Sequence, residues 1–355
     1  METADISSLD YAKTSKSSDS MLSRTTNRSR DSVETLAGEV SGFNLSILVE
    51  TVAEGIFAGH SYRRWPGTPS DQNTRSYSTD SITIAASLTN IMIIISIEWR
   101  KSWTFESHVG GWKRIVMNLF GNALKYTKSG FVHVSLRVDH APTLESSTRE
   151  IITLQVEDSG KGISQSYLKH RLFCPFAQED PMSVGTGLGL SIVRQLVKEL
   201  GGNIGIQSEE GCGTTVRVTA PVEPCDETAE TLFTDSSSML SDIRSRCQGL
   251  SLCLVGFEEQ QSNKHDTSNE TLTPNTKRVS ALKSSLITYA SDWLGMNITE
   301  ASSLKKGEGD VVIGLQSRFI LNASWTESPP LLIFEDDPLN AQFRYVHGIT
   351  ILTQP

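Results

Sequence analysis

The stretch Trp112–Thr127, WKRIVMNLFGNALKYT, constrains the fold more than any other part of the chain. Ile115, Val116, Leu119, Phe120, Ala123 and Leu124 recur at helical spacing and form one apolar stripe. Such a stripe has to pack on another layer, and the short apolar runs nearby are of strand length. Asn118, Asn122 and Lys125 stand at i, i+4 and i+7, on a second stripe beside the first. Two amides and a lysine therefore line the edge of a core, where a protein places groups that hold a ligand.

The surrounding chain falls into blocks. Residues 1–40, rich in Ser, Thr, Asp and Arg, lack apolar periodicity and are expected to be a disordered tail. In 41–80, Phe43–Phe57 has helical periodicity and a turn-rich polar stretch follows. Residues 81–222 alternate strand-like runs with two helices, expected at 112–127 and 187–200. After a polar linker over 223–245, a second unit over 246–355 opens on the strand-like Leu250–Phe257. It continues through a helix-like SALKSSLITYASDWLG to strand candidates at Asp310–Leu315 and Pro329–Asp337, a small α/β layer that breaks off soon after ITIL.

Charge and apolar content narrow the partners. The formal net charge of -9 argues against a general nucleic-acid or anionic-membrane surface, although one basic cleft could survive inside that sum. The run Ile91–Ile97, IMIIISI, is far shorter than the roughly 20 residues of a membrane span. Its length and β-branched content predict a buried strand. The five cysteines match no zinc spacing, and no secretion signal precedes them, so reduced thiols and a cytoplasmic location are expected.

Three glycine-bearing segments follow the amide helix. In LQVEDSGKGIS a strand ends at Asp158, and Gly160 and Gly162 allow a tight turn and the close approach of a ligand. The carboxylate accepts hydrogen bonds and so can read an exocyclic amine such as that of adenine. In VGTGLGLSIVRQLVKELGG, Gly185, Thr186, Gly187, Leu188 and Gly189 lead into a helix whose exposed N–H groups suit phosphate. In EEGCGTTVRV, two glycines lead into Thr214 and a strand. Each segment alone is equally consistent with an ordinary turn or helix cap. Their order within one segment is what carries information.

That order resembles the ATP-binding catalytic domain of sensor histidine kinases, within the superfamily shared with Hsp90, type II topoisomerases and MutL. NLFGNALKYT is similar to its N box, DSGKGI and GTGLGLS to its glycine boxes, and LFCPFAQ to the F box of its lid. The resemblance covers roughly residues 81–222 and implies an α/β sandwich, a mixed sheet with helices on one face. It implies ATP and Mg2+ as cofactors, with Asn122 as the magnesium ligand and Asn118 beside it. Lys125 would meet phosphate, Tyr126 would flank the nucleotide and Asp158 would read adenine. Gly160 and Gly162 would admit the base, Gly185 to Gly189 would close the lid, Phe173 and Phe176 would pack it, and Thr214 would complete the pocket. Hydrolytic relatives carry a glutamate where Asn118 stands, and an amide cannot take a proton from water. Phosphoryl transfer to a protein is thereby favoured over steady hydrolysis.

None of the seven histidines has the acidic, basic and proline context of a phosphate acceptor; His60 in AGHSYRR and His170 in LKHRLF are examples. The resemblance therefore implies a fungal-type hybrid kinase portion that lacks its dimerisation domain, with 41–80 as the connector. Its partner would be a histidine-bearing dimerisation domain, with receiver or phosphotransfer proteins beyond. The second unit resembles a degenerate receiver: DVVIGL ends at Leu315 where an aspartate is needed, and Gly256 and Phe257 replace an acidic pair. Whether the chain acts as an enzyme stays open at this point. The alternatives are a nucleotide-binding regulatory or scaffold module, and an ATPase of the Hsp90 or MutL type.

Overall fold

The computed structural model describes residues 36–63, 91–139, 149–180, 182, 185–225, 234–258, 274–302, 309–315, 331–334 and 349–352. Residues 1–35 of the expected tail, His265, and Asp336 and Asp337 lie outside them. The first unit runs β1 (Val40–Asn44), α1 (Leu45–Arg63), β2 (Ile91–Ile97), β3 (Thr104–His108), α2 (Val109–Tyr126), β4 (Gly130–Asp139) and β5 (Glu150–Asp158). It ends with α3 (Gln165–His170), α4 (Gly189–Glu199), β6 (Asn203–Glu209) and β7 (Gly213–Pro224).

Among the described residues, seven strands form one mixed sheet in the order β1-β3-β7-β5-β4-β2, with β6 beside β7. β2 runs parallel to β4, and the other pairings are antiparallel. α1, α2 and α4 cover one face. Their apolar residues, Leu45 and Val49, Ile115 and Phe120, Val193 and Leu196, share one core with alternate residues of β4, β5 and β7. This is the mixed α/β sandwich implied by the sequence. The apolar stripe read in Trp112–Thr127 is the buried face of α2, from Trp112 to Leu124.

The IMIIISI run is strand β2, and its composition is explained by burial on both faces. Ile91 and Ile97 enter the helix-side core, whereas Met92 and Ile94 point the other way, into a second core. That core belongs to the C-terminal unit: α5 (Thr234–Cys247), β8 (Ser251–Val255), α6 (Pro274–Ile287), a π-helical turn Thr288–Trp293, β9 (Asn297–Ala301), β10 (Val311–Leu315), β11 (Leu331–Phe334) and β12 (Ile349–Leu352). Its five described strands are all parallel, in the order β12-β11-β10-β8-β9. In chain terms this is 2-1-3-4-5, a doubly wound order.

The two units share side chains. Met92, Ile94 and Phe131 from the first sheet are buried in one cluster with Leu252, Leu282 and Leu315 from the second unit. Ser285 Oγ donates to the Ile95 carbonyl at 3.3 Å, and Trp293 Nε1 donates to the Ile97 carbonyl at 2.8 Å. Both bonds satisfy backbone groups of β2, which among the described residues pairs only with β4. Arg244 of α5 lies 4.8 Å from the Trp99 ring and bonds the Trp293 carbonyl at 2.7 Å.

The elements differ from the sequence reading at four places. α1 starts at Leu45 because Asn44 Oδ1 accepts from Ile47 N at 3.1 Å, an N-cap that leaves Phe43 in β1. Leu36–Val40 is ordered: Ala37 is fully buried and its N–H bonds Glu199 Oε2 at 2.9 Å. The expected linker contains α5, and β9 (NITEA) carries no alternating apolar pattern yet pairs with β8 through its backbone. No helix among the described residues is long and apolar enough to cross a membrane.

Candidate functional site

β5 delivers Asp158 to the end of the sheet, opposite Val132 of β4 and Thr214 of β7. The turn after it is laced to both neighbours. Gly160 N donates to Asp158 Oδ1 at 2.8 Å, Lys161 N to the Tyr126 carbonyl at 3.2 Å, and Ser159 N to the Phe131 carbonyl at 3.1 Å. The glycines here allow backbone to approach backbone. A Cβ on Gly160 would stand 2.5 Å from Tyr126 O, and one on Gly162 (φ +69°) would stand 2.0 Å from Glu209 O. These contacts tie DSGKG to the end of α2 and to the β6–β7 turn.

The Asp158 carboxyl is pushed up to about 6 by burial, with Glu157 adding to the rise. The N–H groups of Gly160 and Thr214 and the Thr127 hydroxyl oppose it. A carboxyl that titrates higher in the folded state than in the unfolded chain binds the extra proton when folded. Folded stability from this group therefore declines as pH rises between about 4 and about 6, and the full penalty stands above that range. Asp158→Asn removes the penalty. We expect the nucleotide-free variant to melt higher than wild type at pH 8 and alike at pH 4, by roughly 1–3 kcal/mol on scanning calorimetry. Equal melting at both values would mean that Asp158 is solvated in solution.

On α2, Asn118 Nδ2 donates to the Arg114 carbonyl at 2.7 Å, which turns its oxygen outward. That oxygen lies 2.8 Å, and Asn122 Nδ2 3.8 Å, from where a Cβ on Gly189 would begin. Both amides thus face the start of α4. Lys125 Nζ reaches the same segment, 3.2 Å from the Cβ position of Gly185, and bonds Tyr126 Oη at 2.8 Å while lying 4.5 Å from that ring. The segment Gly185–Gly189 is held by Gln178, whose Nε2 bonds the Gly185 carbonyl at 2.6 Å, and by close passage of Gly187 (φ +70°) over the Phe176 backbone. Thr186 lies between two glycines of positive φ, and the Leu188 carbonyl accepts from Ser191 Oγ at 2.8 Å.

The lid residues divide. Phe173 lies 5.0 Å from the Arg194 guanidinium, against α4. Phe176 adopts φ +63° and is 74% exposed among the described residues. Thr214 shares a hydrogen bond of 2.8 Å with Ser208 Oγ, which also accepts from Ile163 N at 2.9 Å. Ser208, Gln178 and Lys161 were not singled out in the sequence. Lys161 Nζ lies 5.0 Å from the Tyr126 ring and pairs with Glu179 at 3.6 Å. Lys161 and Gln178 had a readable signal, since they sit inside DSGKG and LFCPFAQ.

Residues 109–224 match the family described as histidine kinase-, DNA gyrase B-, and HSP90-like ATPase. The autoinducer 2 sensor kinase/phosphatase LuxQ of Vibrio vulnificus is 41% identical over 120 residues, covering 32% of this chain and 14% of that protein. Histidine protein kinase 1 of Candida albicans is 41% identical over 110 residues, covering 30% of this chain and 4% of its own length. The chain thus spans a small part of these relatives. Full-length ShkA, crystallised with AMPPNP, superposes with a TM-score of 0.51 over 84% of this chain and 51% of its own, at 15% identity, a likeness of fold alone. Residues 109–224 are an ATP-binding domain homologous to the catalytic domains of sensor histidine kinases.

Proposed function

We propose that this domain binds Mg-ATP and passes the γ-phosphoryl group to a histidine on a dimerisation domain. The observation that carries the reading is the convergence of Asn118, Asn122 and Lys125 on Gly185–Gly189, with Asp158 in a turn whose Lys161 N–H bonds Tyr126 at the end of the same helix. Asp158 accepts from the adenine amine, Tyr126 flanks the base, and Lys125 brings a cation to the phosphates. The Asn122 carbonyl would hold the magnesium, whose other ligands are phosphate and water oxygens. When bound, the ion neutralises charge on the triphosphate. An imidazole nitrogen then bonds the γ-phosphorus while the β–γ bridging bond breaks and ADP leaves with the electron pair. Asn118 has no basicity with which to activate water instead.

A second reading has an observation of its own. The C-terminal unit has receiver-like strand order, yet the ends of its central strands carry Phe257 and Leu315, both buried. Among the described residues Leu315 ends β10 and Phe257 follows β8, with an exposed Glu258 beyond it, and the two apolar positions support a regulatory or scaffold role beside the nucleotide site. It is proposed as a receiver-like domain over 246–355, with the catalytic domain over 81–222 and the connector over 41–80.

The first experiment is calorimetry of Mg-ATP binding to the full chain. Saturable binding is expected, weakened at least tenfold by Asn122→Ala and by Asp158→Ala, about 1.4 kcal/mol each. A folded wild type that takes up no nucleotide overturns the reading.

A further inference from the structure

Thr127 closes α2. Its N–H caps the helix by donating to the Ala123 carbonyl at 3.0 Å, and the residue is fully buried. The side chain is not used by that cap. Its hydroxyl is buried with no hydrogen bond of ordinary geometry, one of few such buried polar groups among the described residues. A buried hydroxyl costs stability unless an acceptor takes its proton, so its persistence here points to an acceptor close by.

The surroundings supply one. The Thr127 hydroxyl lies 2.9 Å, and Asp158 Oδ1 2.8 Å, from the same point, the Cβ position of Gly160. Glycine at 160 is what lets the hydroxyl and the carboxylate face each other across that space. The other donors around Asp158 are backbone N–H groups of Gly160 and Thr214, which no side-chain exchange removes. Thr127 is the one side-chain hydroxyl acting on this carboxylate.

We infer that Thr127 is a positioning residue for adenine recognition, its hydroxyl donating to Asp158 and fixing the carboxylate for the exocyclic amine of the base. The inference rests on the ATP-site reading. A hydroxyl donor both orients the carboxylate plane and stabilises its ionised form, the form that can accept from the amine. Guanine presents a carbonyl at that place and gains nothing from an oriented carboxylate. Thr127 therefore contributes to base discrimination while touching no part of the nucleotide.

Thr127→Val keeps the shape and removes the hydroxyl, and Thr127→Ser keeps the hydroxyl and removes the methyl. With the full chain, we expect Thr127→Val to weaken Mg-ATP about five- to tenfold, to leave the much weaker Mg-GTP binding unchanged, and thus to narrow the ATP/GTP ratio. Thr127→Ser is expected to restore that ratio. Equal loss with Val and Ser, or equal loss of ATP and GTP, would assign Thr127 to packing and overturn the inference. Should Val impair folding, Thr127→Ala is read against Ser by the same ratio. Wild type that binds neither nucleotide removes the ATP-site reading and this inference together. Wild type that binds ATP while the Val variant keeps its ratio removes the inference alone.

Discussion

Gly213→Ala is expected to destabilise the protein by roughly 3–5 kcal/mol, whereas Gly211→Ala, two residues earlier, should cost about 1–2 kcal/mol. Both glycines have positive φ, +79° at Gly211 and +124° at Gly213, so alanine is strained at either. The difference is space. A Cβ on Gly211 meets nothing within 4 Å, while one on Gly213 would stand 1.9 Å from the Asp158 carbonyl oxygen. That oxygen belongs to backbone in the β5–β7 ladder and cannot swing away as a side chain could. Relief requires the end of β5 to move, and with it the Asp158 carboxylate. The loss should thus appear twice, as a lowered urea midpoint and as Mg-ATP affinity reduced at least tenfold in whatever fraction stays folded. Equal stability of the two variants would show that the strand end yields cheaply, and the rigid adenine-reading loop argued above would not stand.

These glycines also show how much of the molecule was legible beforehand. The order of glycine segments marked the candidate site, because backbone that must pass close to other backbone leaves glycine as the visible mark. What each glycine faces was not legible, since Glu209 and Asp158 lie far from Gly162 and Gly213 along the chain. The α2 stripe was readable residue by residue, as periodicity is local. Ser208 was not, because a single polar residue in a strand acquires a role only when folding brings an N–H such as that of Ile163 to it. β9 escaped for a related reason: an edge strand recruited by backbone pairing needs no apolar alternation. The helix in the polar linker and the docking of the C-terminal unit depend on contacts between distant segments, such as Arg244 with Trp293.

That docking gives the other large effect. Phe131 is 1% exposed and stands on the sheet face away from α2, inside the cluster that includes Leu282 of α6. Phe131→Ala should cost about 3–5 kcal/mol, and Leu282→Ala about 2–5 kcal/mol. If the two units share one core, the double variant will not show the sum; a coupling of about 0.5–3 kcal/mol is expected from a double-mutant cycle in urea. Strict additivity would mean that each unit buries its own residue independently. The backbone of Phe131 also brackets the DSGKG loop, with its N–H on Ser159 Oγ at 2.8 Å and its carbonyl accepting from Ser159 N at 3.1 Å. Emptying the ring's site lets β4 settle towards the C-terminal unit, and the loop bearing Asp158 and Gly160 follows. Phe131→Ala should therefore weaken Mg-ATP even when assayed well below its melting point, although the ring faces away from the nucleotide. Leu282→Ala, which touches no part of that loop, should weaken it less. A nucleotide site that ignored both changes would be mechanically separate from the unit docked behind it.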